Sequence, residues 1–119
     1  VEGKRIIMID DSIVRGTTSD RIVRMLREAG AKEVHMRVSS PPFLWPCYFG
    51  TDVPAREQLI AYKHSVKEIS EIIGTDSLAY LKIERLEEIV NHLNICKGCF
   101  TGKYPLDPPK EDIRGDYER

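Results

Sequence analysis

Between Lys4 and Val38 the chain spells out a strand, a loop, a helix and a second strand, and this unit limits the fold more than any other feature. Lys4 to Ile9 (K-R-I-I-M-I) is an apolar run of strand length that stops at two aspartates, Asp10 and Asp11. Its apolar residues are continuous instead of alternating, which suits a strand buried on both faces of a parallel sheet. Ser19 to Ala29 puts Ile22, Val23, Leu26 and Ala29 at helical spacing, with Arg21, Arg24 and Arg27 on the other side. Gly30 follows, where a left-handed residue commonly ends a helix. Val34 to Val38 then reads as the second strand. Strand, helix and strand within about 35 residues make a βαβ unit with a right-handed crossover, so the expected class is α/β.

The rest of the chain departs from this pattern. Ser39 to Asp52 (S-S-P-P-F-L-W-P-C-Y-F-G-T-D) carries three prolines and four aromatic residues. The prolines forbid regular structure and the aromatics favour burial, so an ordered loop packed on the body is expected. Beyond it the reading is mainly helical. Ala55 to Tyr62 is a short helix, and Ser65 with Glu68 forms a capping box opening a second, with Ile69, Ile72 and Ile73 inward and Gly74 closing it. Ser77 to Leu81 has the length of a short strand. Ile83 to Leu93 is amphipathic through Leu86, Ile89, Val90 and Leu93. From Thr101 onward, prolines and charges read as a surface tail, frayed after Pro108.

Composition excludes several classes. With 119 residues, 41% hydrophobic and 31% charged, the chain has the balance of one small globular unit. A net charge of -1 offers no basic surface for nucleic acid or anionic membrane. No apolar run approaches the roughly 18 residues of a membrane helix, and no secretion signal is legible, so the cytoplasm is the expected compartment. The first residue is Val1, not Met, and a strand follows almost at once, which suggests a piece of a longer protein.

The junction between first strand and first helix has the makings of an anion site. Asp10 and Asp11 stand at the carboxyl end of a strand, the edge where open α/β sheets bind ligands. Gly16 allows the backbone to turn its amides inward, Ser12, Thr17 and Thr18 add hydroxyls, and the helix start presents unpaired N–H groups. Two carboxylates beside an anion need a second task, either holding a hard cation such as Mg²⁺ or accepting hydrogen bonds from sugar hydroxyls. A phosphorylated ribose supplies both partners. The bland alternative is that Asp11 caps a turn and Gly16 closes it. Neither G-x-x-x-x-G-K-[ST] nor G-x-G-x-x-G occurs.

The segment I-I-M-I-D-D-S-I-V-R-G-T-T-S resembles the phosphoribosyl pyrophosphate motif of the type I phosphoribosyltransferases, and its S-I-V-R-G-T-T form resembles that of the amidophosphoribosyltransferase family. The likeness continues in order through residues 39–52, H-S-V-K-E-I at His64 to Ile69, D-S-L-A-Y-L at Asp76 to Leu81, and C-F-T-G-K-Y-P at Cys99 to Pro105. The resemblance implies a partial type I phosphoribosyltransferase sheet in residues 1–52, a helical C-terminal region in 53–107 and a tail in 108–119. It also implies transfer of ammonia, released from glutamine, to C1 of phosphoribosyl pyrophosphate, giving 5-phosphoribosylamine for purine synthesis. On that likeness Asp10 and Asp11 bind Mg²⁺ and the ribose hydroxyls, and Ser12, Ile13, Val14, Arg15, Gly16, Thr17 and Thr18 cradle the 5-phosphate. The family's N-terminal glutaminase domain, the first part of its transferase sheet and the loop that closes over substrate have no counterpart here, so the chain alone is expected to be inactive. Regulation by purine nucleotides and assembly into a homo-oligomer, a tetramer, are further expectations.

The three cysteines are Cys47 in the proline-rich loop and Cys96 and Cys99 in a C-x-x-C. An odd count with such a pair argues against a disulfide framework and for metal, either zinc or an iron–sulfur cluster. His64 or His92 could complete a zinc site. The family resemblance favours a [4Fe–4S] cluster held by Cys47, Cys96, Cys99 and a fourth cysteine outside this chain. Two other functions fit the phosphate loop: a phosphoribosyltransferase acting on a base, and a non-catalytic regulator that binds phosphoribosyl pyrophosphate or a nucleotide.

Overall fold

A computed structural model describes residues 1–109. Its centre is a parallel sheet of β1 (Arg5–Asp10), β2 (Glu33–Val38) and β3 (Ser77–Tyr80) in the order β1-β2-β3. Arg5 pairs with Glu33 and Asp10 with Val38, while His35 pairs with Ser77 and Val38 with Tyr80. Asp10, Val38 and Tyr80 therefore end their strands in one row. The expected α/β class and parallel sheet are present. β3 comes from the 53–107 region, so that stretch adds a strand to the sheet as well as helices.

Helix α1 (Thr17–Glu28) returns the chain from β1 to β2, and α3 (Val66–Ile73) precedes β3. The two pack on each other and on one face of the sheet. Ile13, Met36, Val38, Ile60, Ile69 and Ile73 form the core between the layers, with Met8, Leu78 and Tyr80 against them. At about 25 cal/mol per Å² of apolar surface removed from water, this interface is the main source of stability. The opposite face carries no helix among the described residues. Ile7 and Ile9 are 71% and 76% exposed there, so β1 is buried on one face, not on both as its apolar run suggests. A strand's side chains alternate, and only the Met8 side meets α1 and α3.

Several boundaries differ from the sequence reading, each for a local reason. α1 starts at Thr17 rather than Ser19, because Gly16, at φ 86°, turns the chain so that both threonines enter the first turn. It ends with Gly30 N–H bonded to Arg27 C=O and Ala31 N–H to Leu26 C=O, a left-handed glycine cap. The expected helix over 55–62 is split into a 3₁₀ turn, Arg56–Gln58, and one turn of α-helix, α2 (Ile60–Lys63). Between them Leu59 is extended and fully buried. Burial of Leu59 and the bond from Ile60 N–H to Val14 C=O (3.0 Å) override local helix propensity.

The capping box of Ser65 and Glu68 is formed, with both reciprocal bonds, and holds the Glu68 carboxyl below its usual range. Ile72, expected inward, is half exposed, and Ala29 is exposed at the end of α1. Helix α4 (Ile83–Ile89) stops four residues short of Leu93. Asn91 N–H bonds Glu88 C=O and His92 N–H bonds Glu87 C=O, with Asn91 left-handed at φ 53°. This cap turns the chain away and leaves Ile89 and Leu93 each 70% exposed. A final turn, α5 (Gly98–Thr101), carries the second cysteine of the C-x-x-C.

The loop over residues 39–52 is irregular and packed, as its composition requires. Phe43 stacks on Phe100 with ring centroids 5.2 Å apart, and Tyr48 and Phe49 meet Tyr104. The Tyr104 hydroxyl donates to the Pro46 carbonyl at 2.8 Å. Gly98 and Gly102 let the rings of Tyr104 and Trp45 sit directly on the α5 backbone, where a Cβ would have no room. The stretch after Thr101, expected to be surface tail, is thus partly built into the body. The expected fraying after Pro108 lies mostly outside the described residues.

Candidate functional site

The row of strand ends places Asp10 at the carboxyl edge of the sheet. Its carbonyl accepts from Ser39 N–H at 2.9 Å and from the Ser39 hydroxyl at 3.2 Å, which pins the end of β1 to the exit of β2. The Asp10 carboxylate accepts from Asp11 N–H at 2.8 Å, and Ser12 donates its hydroxyl to Asp11 at 3.3 Å. The chain then dips into the core through Ile13, which is 1% exposed. It rises through Val14 and Arg15 and turns at Gly16. A side chain at Gly16 would be strained at that φ, and its Cβ would meet Ile60 Cδ1 at 2.8 Å.

No side chain caps α1, and its first bond runs from Asp20 N–H to Gly16 C=O. The amides of residues 17–19 therefore point out of the helix start without intrahelical partners, at the positive end of its dipole. They open into a cavity of about 360 Å³ lined by residues 10–19 together with Asp52 and Pro54. All nine residues singled out from sequence, Asp10 to Thr18, border it. Their contributions differ: Ile13 gives its backbone to the rim while its side chain anchors the loop in the core.

Ser19, Asp52 and Pro54 escape the sequence reading. Ser19 is 3% exposed in the first turn of α1. Asp52 closes the proline-rich loop, and the cue available was one more carboxylate directly after a Gly-Thr turn. Three carboxylates, Asp10, Asp11 and Asp52, thus share the rim with one cation, Arg15. Arg15 is braced from outside, donating to Gln58 Oε1 through Nε at 3.2 Å and Nη2 at 2.8 Å. The helix start can seat an anion, and the carboxylates can hold a cation or accept hydrogen bonds from sugar hydroxyls.

The cysteines form a second locality. Leu44 N–H and Trp45 N–H both donate to Cys99 C=O, at 3.0 and 3.1 Å, so the Cys47 loop is laid across α5. The Cys99 thiol is pushed up to about 11, first by burial and then by the neighbouring Cys47 and Cys96 sulfurs. Partial burial also works to raise Cys47, but hydrogen bonds from the Phe49, Thr51 and Gly50 backbone and from the Thr51 side chain pull it below its usual value. No disulfide joins the cysteines. Among the described residues no three His, Cys, Asp or Glu side chains are grouped to hold a metal ion. Of the histidines considered as zinc ligands, His64 has its Nδ1 3.6 Å from Glu68, and His92 borders a depression with Glu87 and Lys97.

Comparison with known proteins bears on this two-site arrangement. No family model matches the chain. It is 56% identical over 116 residues to an amidophosphoribosyltransferase of Archaeoglobus fulgidus, covering 94% of this chain and 25% of that protein. Against the Bacillus subtilis amidophosphoribosyltransferase it is 54% identical over 113 residues, covering 90% of this chain and 24% of the relative. A solved structure of the B. subtilis glutamine phosphoribosylpyrophosphate amidotransferase, complexed with ADP and GMP, superposes with a TM-score of 0.85 at 52% identity, covering 93% of this chain and 26% of that one. The chain is a relative of the amidophosphoribosyltransferases. It spans about a quarter of the length of the curated relatives it matches. Its sheet and flanking helices match a part of that amidotransferase structure, of the type I phosphoribosyltransferase fold. Chloroplastic amidophosphoribosyltransferases, such as that of Glycine max at 54% identity, are among the relatives. No helix of the described residues is long and apolar enough to cross a membrane.

Proposed function

We propose that this chain provides the phosphoribosyl pyrophosphate site of an amidophosphoribosyltransferase. The whole protein then converts phosphoribosyl pyrophosphate and glutamine to 5-phosphoribosylamine, glutamate and pyrophosphate, the first committed step of de novo purine synthesis. The observation that carries this reading is the cavity over the uncapped start of α1, lined without interruption by Asp10 to Ser19. The amides of residues 17–19 and the hydroxyls of Ser12, Thr17 and Thr18 hold the 5-phosphate. Asp10 and Asp11 accept hydrogen bonds from the ribose hydroxyls and orient the ring. When bound, Mg²⁺ at Asp10 and Asp11 supplies positive charge to the departing pyrophosphate. A magnesium site built from one or two carboxylates plus substrate oxygens needs no third protein ligand, which agrees with the pair at this rim. Loss of pyrophosphate leaves an oxocarbenium-like sugar, so the site works by holding and neutralising, with no protein nucleophile.

The same reading gives the three cysteines to a [4Fe–4S] cluster completed by a cysteine outside this chain. Such a cluster ties the 39–52 loop and α5 together and has no part in the transfer. Its soft, all-sulfur donor set suits iron–sulfur chemistry. Ammonia from a glutaminase domain, purine nucleotides acting as feedback inhibitors, a homo-oligomeric assembly and a cytoplasmic location complete the proposal. Feedback by nucleotides is supported by the ADP and GMP bound to the B. subtilis enzyme.

Two measurements test it on the full-length product of the gene. Replacing both aspartates, Asp10→Asn with Asp11→Asn, should lower ammonia-dependent transfer at least about a hundredfold while the protein stays folded. Full activity in that variant would falsify the assignment. Anaerobically purified protein should be brown and lose its colour on Cys96→Ser, whereas a colourless, zinc-loaded protein would refute the cluster. Binding of phosphoribosyl pyrophosphate without turnover would favour the regulatory alternative.

A further inference from the structure

The phosphate loop and the cysteine loop are bridged by one short segment, residues 56–60. At its start the Arg56 guanidinium lies between two rings, 3.5 Å from the centroid of Trp45 and 4.1 Å from that of Tyr62. Its Nε donates to Leu44 C=O at 2.9 Å. Leu44 and Trp45 are the residues whose amides bond Cys99 C=O, so Arg56 grips the cysteine loop where that loop grips α5. Two residues on, Gln58 braces Arg15. Two further, Ile60 N–H bonds Val14 C=O and its side chain fills the space beside Gly16. Between these contacts Leu59 is fully buried and fixes the segment to the body.

We propose that Arg56 is a positioning residue, clamped between Trp45 and Tyr62, that sets the shape of the phosphate loop through Gln58 and Ile60 according to how the cysteine loop is seated. The ligand assigned to that loop rests on the function proposed above, whereas the mechanical link does not. Arg56 does not border the cavity. Its effect on a ligand runs through Arg15, Val14 and Gly16, which do. The guanidinium lies against two rings and bonds Leu44 C=O through Nε, so its planar shape matters as well as its charge. A lysine keeps the charge but cannot stack flat between two rings while bonding Leu44 C=O.

The test is hydrogen–deuterium exchange at residues 12–18 in the full-length protein, with the Kd for phosphoribosyl pyrophosphate measured beside it. Arg56→Ala should speed exchange there about tenfold, and Arg56→Lys should fail to restore the wild-type rate. Gln58→Ala should reproduce part of the effect while leaving exchange at residues 44–47 unchanged. In the double variant the two effects should be less than additive, because both cut one path. The affinity should fall in the same order. If either folded Arg56 variant keeps wild-type exchange at 12–18, the link is wrong, and if Arg56→Ala does not fold, Arg56→Lys and Gln58→Ala still decide it. Should wild-type protein fail to bind phosphoribosyl pyrophosphate while exchange at 12–18 responds as stated, the functional reading fails and the link stands.

Discussion

Residues 10–18 and residues 39–52 are both irregular, and they are ordered by different means. The first is a contiguous loop whose chemical groups are set by its own neighbours in sequence, a strand end, a left-handed glycine and an uncapped helix, with Gln58 and Ile60 bracing it from outside. The second is held by partners far along the chain, since Phe43 needs Phe100, Tyr48 needs Tyr104 and Trp45 needs Arg56. A contiguous loop keeps its chemistry in a motif. A loop held from a distance keeps only its composition, and its partners appear once the chain is folded.

This contrast can be broken at its strongest point, the anchor. Ile13→Ala should cost about 2–4 kcal/mol of stability in urea titration, because a fully buried aliphatic side chain is lost from the core. It should also weaken phosphoribosyl pyrophosphate binding, since the loop above it loses its floor. A variant with unchanged affinity would show that the loop is shaped by the Gln58 and Ile60 contacts alone. On the other side, Tyr104→Phe removes the hydroxyl that bonds Pro46 C=O and should cost about 1 kcal/mol. Exchange should rise at residues 44–48 more than at 12–18, and the reverse pattern would mean that the two loops are not separately ordered.

The smallest effect lies in neither loop and serves as their control. Asp76 is held below its ordinary value, chiefly by Val34 N–H and then by Arg27. A carboxylate depressed in the folded state adds stability above its unfolded value, and that contribution is lost as pH falls through the folded one. Asp76→Asn should therefore flatten the loss of stability between neutral pH and about pH 3, with little change in ligand binding. Urea midpoints at both ends of that range check it. The side chain is partly exposed, so solvent limits the size of the effect.

Much of the candidate site was legible because strand, glycine, hydroxyls and helix start follow one another, and each has a fixed preference. All of Asp10 to Thr18 fall on the cavity. Asp52 and the Gln58 brace were not legible, since nothing in their immediate sequence says which surface they meet. The helix over 55–62 failed for a related reason: its local propensity was outweighed by burial of Leu59 and the bond to Val14. Ile83 to Leu93 shows the same limit, as its apolar face was real but an asparagine cap ended the helix before Leu93.

By itself, then, the sequence determined the parallel βαβ unit, the capping box, the loop of residues 10–18 that borders the cavity and the presence of a cysteine-bearing, aromatic-rich loop. These rest on interactions within a few residues, or on periodicity, and both are written along the chain. Only the tertiary structure decided that β3 pairs with β2 in the sheet, that Tyr104 and Trp45 seat on the glycines at the two ends of α5, and that Arg56 lies against two rings. Those contacts join residues separated by long stretches of chain, so their geometry exists only once the layers have packed.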